Sequence, residues 1–250
     1  MIHNAAGQDN STYMNLILLF PSDFTDASMS LVRLSGHRRE HAVSVCNVEV
    51  GFTLKVGLIN GNMGTAVVLE ITDTVLDLQV TLDEHPPTSL PLTLICALPR
   101  PKSLFKCIEV ATVMGVKTMY FINSYRVEKN YWGSQRLEGS ELKHHMIIGL
   151  EQSRDTILPK LEFRRRFKPF VEDELSAIIN DSRALVAHPY AAQPCPYHCT
   201  GPITLIIGPE GGFIPYEIEM LQKQDVEAVS FGARILRVEH AVAALIGRIL

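Results

Sequence analysis

The rhythm of apolar positions changes once along the chain. Up to about Asp83 it consists of short runs, LILLF at 16–20, GFTLKVGLINGNMGTAVVLEI at 51–71 and DTVLDLQVTL at 73–82, broken by Gly, Asn and Asp. Runs of this length between turn residues predict short strands, and Asn60-Gly61-Asn62 between two of them is hairpin chemistry. A small β domain is therefore expected over residues 14–83. The polar, proline-rich stretch DEHPPTSLP at 83–91 reads as a linker. From Leu92 the pattern alternates. LTLICAL is a buried strand; Ser103 opens a helix with apolar positions at Leu104, Ile108, Ala111 and Val113, and TMYFI is a strand again. A helix near residues 141–152, a strand LEFRRRF, a helix at 172–179, strands ALVA and ITLII, a helix after Pro215, a strand at 228–231 and a final helix complete the series. Strands alternating with helices predict an α/β domain over 91–250, built on a parallel sheet covered on both faces.

Composition narrows this picture. With 46% hydrophobic and 20% charged residues, the chain is expected to fold rather than remain disordered. No apolar run approaches the roughly 18 residues of a membrane span. Residues 14–20 lack a basic leader and a cleavage site, so they read as a first strand in a cytoplasmic protein. Residues 1–13 are polar and patternless and are set aside. Five cysteines without framework spacing suggest free thiols. Cys195, His198 and Cys199, with His188 upstream, do not follow a standard zinc spacing, and prolines at 194 and 196 favour a structural loop; no metal is expected. The net charge of -4 argues against a phosphate-coated surface but leaves room for a local basic face that binds nucleic acid.

Two segments could carry chemistry. In ITLIIGPEGGFIP a buried strand runs into Gly208-Pro209-Glu210-Gly211-Gly212, and Pro215 suits the first turn of a helix. Ligands of open α/β sheets bind beyond the carboxyl ends of strands, where this loop falls. On this segment alone, a plain strand-to-helix turn reads equally well. The second segment, SFGARILRVEH, ends a strand at Gly232, brackets an apolar pair with Arg234 and Arg237, and places Glu239 near the start of the last helix, where the helix dipole favours an acid.

In combination these motifs are distinctive. IGPEGG at 207–212 and GARILRVE at 232–239, with ALP at 97–99, ATVMGV at 111–116 and EQS at 151–153, occur in the order found in the RsmE family of 16S ribosomal RNA uridine-N3 methyltransferases, which the chain resembles. The resemblance implies a SPOUT-type α/β domain with a C-terminal trefoil knot, preceded by a PUA-like RNA-binding β-barrel, in a homodimer. It implies S-adenosylmethionine as methyl donor, held by Leu98, Pro99, Ile207, Gly208, Pro209, Glu210, Gly211, Gly212, Phe231, Gly232, Ile235, Leu236 and Arg237. Catalytic roles fall to Glu151, Arg154 and Arg237, and contacts to the 16S rRNA substrate to Gln152, Arg154 and Arg165. Uridine N3 is a weakly acidic imide nitrogen, so its methylation requires proton acceptance and an in-line approach but no metal. Glu151 and Arg154 at i and i+3 would equally form a surface ion pair, and Arg237 could pair with Glu239. Methylation at another RNA position and a non-catalytic RNA-binding assembly factor are the alternative functions. The chain departs from the family pattern at Val113, Val238 and His240, and in the barrel at Glu40-His41 and Asn47. Along the last helix, Val242, Leu245, Ile246 and Ile249 form an apolar stripe whose spacing fits intrachain core at least as well as a dimer contact, and the resemblance assigns it to the dimer contact.

Overall fold

The structure, a computed structural model, describes residues 15–46, 48–137 and 139–250. Residues 1–13, Met14 and Asn47, on which some of the sequence expectations fall, lie outside the described residues. The chain divides into two units. The first comprises its residues up to Pro87 together with Leu150–Ile157, and the second comprises Thr88–Gly149 and Leu158–Leu250.

The first unit is a five-stranded sheet of β1 (Ile17–Leu19), β2 (Leu31–Ser35), β3 (Thr53–Leu58), β4 (Met63–Ile71) and β5 (Val75–Glu84), in the order β1-β3-β4-β5-β2. β1 runs parallel to β3 and the other pairs are antiparallel. Alternation along β5 sends Leu76, Leu78 and Val80 into a core with Leu19, Leu34, Leu54, Val56 and Val68. On the other face Asp77 accepts a bidentate pair of hydrogen bonds at 2.7 and 2.8 Å from its register partner Arg33, which holds its carboxyl below the usual range. Asn60, with φ 56°, turns the chain between β3 and β4 at the expected hairpin.

Two features of this unit differ from the sequence reading. Strand β2 and the helix α1 (Gly36–Cys46) were not anticipated, because α1 carries no apolar stripe and Ala42 is its one fully buried side chain among those described. The second difference is the segment Leu150–Ile157. Its Glu151 carbonyl accepts the Leu16 N–H at 3.0 Å, and the Glu151 carboxylate accepts the Leu18 N–H at 3.2 Å, so it covers the free edge of β1. Further along, the Thr156 carbonyl accepts the Asn60 N–H at 2.8 Å, and its hydroxyl donates to the Gly61 carbonyl at 2.5 Å.

In the second unit the strands are β6 (Leu92–Ala97), β7 (Thr118–Ile122), β8 (Lys160–Arg164), β9 (Arg183–Ala187), β10 (Gln193–Pro194), β11 (Ile203–Ile207) and β12 (Glu227–Ser230). They form one parallel sheet in the order β10-β12-β9-β11-β6-β7-β8. Its helices are α2 (Pro101–Val113), α3 (Gly139–Ser153), whose last residues from Leu150 count with the first unit, α4 (Phe167–Pro169), α5 (Leu175–Ile179), α6 (Pro215–Gln222) and α7 (Val238–Ile249). A wider turn at Phe170–Glu174 joins α4 to α5. The basic run expected on one strand is divided: β8 stops at Arg164, whose Nε donates to Glu174 at 2.6 Å, and Phe167 already begins α4. Arg165, Arg166 and Lys168 follow the strand and are exposed.

The loop with Cys195, His198 and Cys199 fastens the end of α7. The Cys199 N–H donates to the Ile249 carbonyl at 2.8 Å, Arg248 Nε donates to the Cys195 carbonyl at 2.7 Å, and the Arg248 guanidinium lies 3.7 Å from the Tyr197 ring centre. No helix among the described residues is long and apolar enough to cross a membrane.

α7 packs on α2 and β11, and its stripe Val242, Leu245, Ile246 and Ile249 is at most 2% exposed within the single chain. The stripe is thus intrachain core, which corrects its assignment to a dimer contact: side chains already enclosed by their own chain have no surface left for a partner. Accordingly Ile246→Ala should cost about 2–5 kcal/mol of unfolding free energy. That cost should be the same in denaturant melts over a hundredfold range of protein concentration, whereas a dimer contact would make it concentration-dependent.

Candidate functional site

Register in the second unit decides where its loops emerge. Ile207, the last residue of β11, stands level with Ala187 of β9 and Cys96 of β6, and Val229 of β12 stands level with Ala187. The carboxyl ends of β9, β11 and β12 therefore open side by side, and a cleft of about 100 Å³ lies there. Its lining contains Ile207, Gly208, Pro209, Glu210 and Gly212 from the first loop and Phe231, Gly232, Ile235 and Leu236 from the second. Ala241 and Leu245 of α7 close the apolar side.

The other four positions expected to hold the donor lie outside the lining. Leu98 and Pro99 are buried, and the Leu98 N–H donates to the Ile122 carbonyl at 2.8 Å, continuing the β6–β7 ladder. Their strand lies on the opposite side of β11 from β9 and β12. The Gly211 carbonyl accepts from Arg126, and a Cβ at Gly211 would meet the Arg126 side chain at 2.9 Å. Arg237 is exposed at the start of α7, and among the described residues no ion pair joins it to Glu239. Glu239 is 8% exposed; burial raises its carboxyl, but its own backbone N–H, the Ser103 hydroxyl and the neighbouring charges of His240 and Lys106 outweigh this and leave it below the usual range.

Ala187, His188, Pro189, Val229, Arg234 and Val238 complete the lining in positions that sequence reasoning missed as site residues. The signal was present for His188, which directly follows β9, because a ligand at the carboxyl end of one parallel strand also meets the ends of its neighbours. What was missing was the order of the strands. Val238, one of the departures from the family pattern, is buried against the cleft, while Val113 and His240 are exposed.

Backbone conformation marks the cleft as well. Gly212 has φ 71° and Gly232 φ 139°, and at both a Cβ would point into open space. L-residues rarely adopt these angles, and without a side chain the peptide groups are left bare to the cleft. The Glu210 carboxylate accepts the Arg100 N–H at 3.0 Å, tying this loop to the start of α2.

Glu151, Gln152 and Arg154 belong to the first unit. Besides its hydrogen bond to β1, Glu151 is followed by Gln152, whose Oε1 accepts from Asn15 Nδ2 at 3.3 Å. Arg154 is exposed and has φ 53°, at the point where the chain leaves α3. Arg165 follows β8, and its guanidinium lies 5.5 Å from the Trp132 ring centre.

Burial pushes the His188 imidazole below its ordinary 6.5. Its NMR titration midpoint should accordingly lie under that value. Because the unfolded chain takes up this proton at a higher pH than the folded one, the resulting loss of stability should begin as pH falls below about 6.5 and be complete at the folded midpoint. A midpoint at or above 6.5 would contradict the burial argument.

Comparison with known proteins agrees in one direction. Residues 86–250 match the RNA methyltransferase domain family. The ribosomal RNA small subunit methyltransferase E of Treponema pallidum is 24% identical over 238 residues, covering 91% of this chain and 88% of the relative. That of Mycobacterium bovis is also 24% identical, covering 93% and 90%. Among solved structures, the ribosomal RNA small subunit methyltransferase E of Neisseria gonorrhoeae, bound to S-adenosyl methionine, superposes with a TM-score of 0.71 at 21% identity, covering 94% of this chain and 95% of that one.

Proposed function

Because the chain belongs to the RNA methyltransferase domain family, we propose that it transfers the methyl group of S-adenosylmethionine to N3 of a uridine in 16S ribosomal RNA. The observation that carries this reading is the cleft at the ends of β9, β11 and β12, where Gly212 and Gly232 leave backbone groups bare beside an apolar wall. The relatives named above, which span nearly the whole chain, support the choice of substrate.

The lining suits such a donor. Ile207, Val229, Leu236 and Leu245 offer an apolar slot for a purine, with glycine peptides nearby for its polar edge. Arg234 can hold a carboxylate. When bound, S-adenosylmethionine supplies a methyl group on a positively charged sulfonium. A neutral His188 adds no repulsion to that cation, so donor affinity should weaken as pH falls through the histidine's midpoint.

Arg154, Gln152 and Arg237 are proposed to face the RNA, together with Arg165. Glu151 is proposed to act as proton acceptor, a role that its hydrogen bond to Leu18 would orient. The first unit as a PUA-like RNA-binding domain, the trefoil knot, the homodimer and the cytoplasmic location belong to the same proposal. The knot is supported by the sheet order, since the late strands β11 and β12 each lie between strands that precede them in the chain.

Transfer from labelled donor to small subunits lacking the modification, followed by nucleoside analysis, tests the reaction. N3-methyluridine is the expected product, and a methyl group on any other atom would sink the assignment. Gly212→Val should weaken S-adenosylmethionine binding in calorimetry by tenfold or more, equivalent to about 1.4 kcal/mol, by filling the cleft and straining a left-handed backbone. Unchanged affinity would remove the loop from the donor site. Deleting residues 14–83 is a poor test of RNA recognition by the first unit, since it would strip Leu150–Ile157 of its partners. Arg154→Ala in the full chain should instead lower methyl transfer with donor affinity retained.

A further inference from the structure

We propose that a second cleft in the α/β unit binds an unpaired nucleotide of single-stranded RNA, through aromatic stacking, phosphate contacts and two unpartnered polar groups. The proposal rests on the reading of the chain as an RNA methyltransferase and adds a site to it. The cleft has a volume of about 640 Å³ and lies at the carboxyl ends of β7 and β8, bordered by the end of the β11–α6 connection. Its lining differs in chemistry from that of the first cleft, being aromatic and cationic.

Four aromatic side chains border it, of which Phe167 is buried. Tyr125 is 78% exposed and Tyr216 52% exposed, so both rings are open to a ligand. Trp132 is fixed, because its indole N–H donates to Asn123 Oδ1 at 2.9 Å while the Arg165 guanidinium lies over its ring and donates to its carbonyl at 3.3 Å. Lys129 and Lys168 add two exposed cations. Lys168 is only loosely engaged by Glu172 at 3.7 Å. Aromatic faces among cations form the arrangement that holds single strands, since every base has a face to stack and every linkage a phosphate. A duplex would present neither an accessible base face nor an open base edge.

The polar groups point the same way. The Ser124 hydroxyl is buried and has no hydrogen-bond partner. Such orphans are rare in folded proteins and call for a physical reason, which a ligand in the cleft would supply. Beside it, the indole N–H can only donate, so Asn123 must turn its carbonyl oxygen to Trp132. Its amide N–H groups then have no acceptor among the described residues. A base carbonyl suits both groups. The one buried carboxylate in the lining, Glu217, is outnumbered there by three cations, Lys129, Arg165 and Lys168, which leaves the cleft net positive toward a phosphate. The two oxygens of Glu217 accept the N–H groups of Tyr125 at 2.7 Å and Ile214 at 3.0 Å, which ties the two walls together.

Trp132 is the chain's single tryptophan, so its fluorescence reports on this cleft without labelling. Titration of the full chain with pentauridylate should quench it saturably, and rising salt should weaken the midpoint. Tyr216→Ala and Arg165→Ala should each weaken binding about tenfold or more. Ser124→Ala should weaken it too, yet leave the melting temperature unchanged or raised, because an unpartnered hydroxyl contributes nothing to the free protein. S-adenosylmethionine affinity should be retained in all three variants. Absence of quenching, an equal response to a fully paired duplex, or midpoints unchanged in the variants would each overturn the proposal. If small subunits are methylated while Trp132 remains silent, the cleft is refuted and the reaction stands. Quenching in a protein that transfers no methyl group would refute the reaction and leave the cleft.

Discussion

The geometry of the α/β unit depends on one strand. β11 is fully buried and pairs over its whole length with β9 on one side and β6 on the other, in continuous register. A strand buried on both faces and bonded at both edges has no freedom to slip, since a shift of one residue would turn every side chain to the wrong layer. The loop that leaves it at Gly208 is therefore delivered to a fixed place. Because β9 and β12 end at the same level, the loops after all three meet there. The first cleft is a product of register more than of any single loop sequence.

The same loop also borders the second cleft. Gly208 to Gly212 turn toward the ends of β9 and β12, and from Ile214 the chain reaches the residues following β7. Glu217 holds that second arrangement by bonding Tyr125 from one wall and Ile214 from the other. Hydrogen bonds to an ionised carboxylate in a buried setting are among the stronger local restraints, each contributing about 1.5–3 kcal/mol. A loop anchored at β11, at Arg100 through Glu210, and at Tyr125 through Glu217 keeps little conformational freedom. Preorganisation of this kind reduces the entropy that binding must offset.

How much of this was legible in the sequence depended on the range of the interactions. The central strands, α2, α6 and α7 and the two motif loops follow from apolar periodicity and turn chemistry, which are local. The family motifs marked nine of the lining residues of the first cleft. Strand order is not local, and it decided that Leu98 and Pro99, on the β6 side, lie outside that lining while His188 lies within it. Nor could periodicity distinguish core from interface for α7, because both require the same stripe. Residues 150–152 were read as the end of a helix, yet with the residues up to 157 they cover the edge of β1 more than a hundred positions earlier. Strand-edge pairing leaves almost no composition signal, since backbone groups do the bonding.

Departures from local rules show where this chain accepts a cost. A folded domain is expected to satisfy its buried polar groups and to keep positive φ angles for turns that need them. In the α/β unit, the bare positive-φ glycines 212 and 232 line one cleft, and the orphan hydroxyl of Ser124 lines the other. Both clefts lie at the carboxyl edge of the sheet. The sheet and helices behind that edge follow the rules closely, with β11, Phe121, Leu104 and Ile246 fully enclosed. Gly115, His198, Gly201 and Asp225 take positive φ elsewhere in the unit, at turns and bends, whereas Gly212, Gly232 and Ser124 depart from the rules beside open clefts, where ligand recognition supplies a physical reason for them.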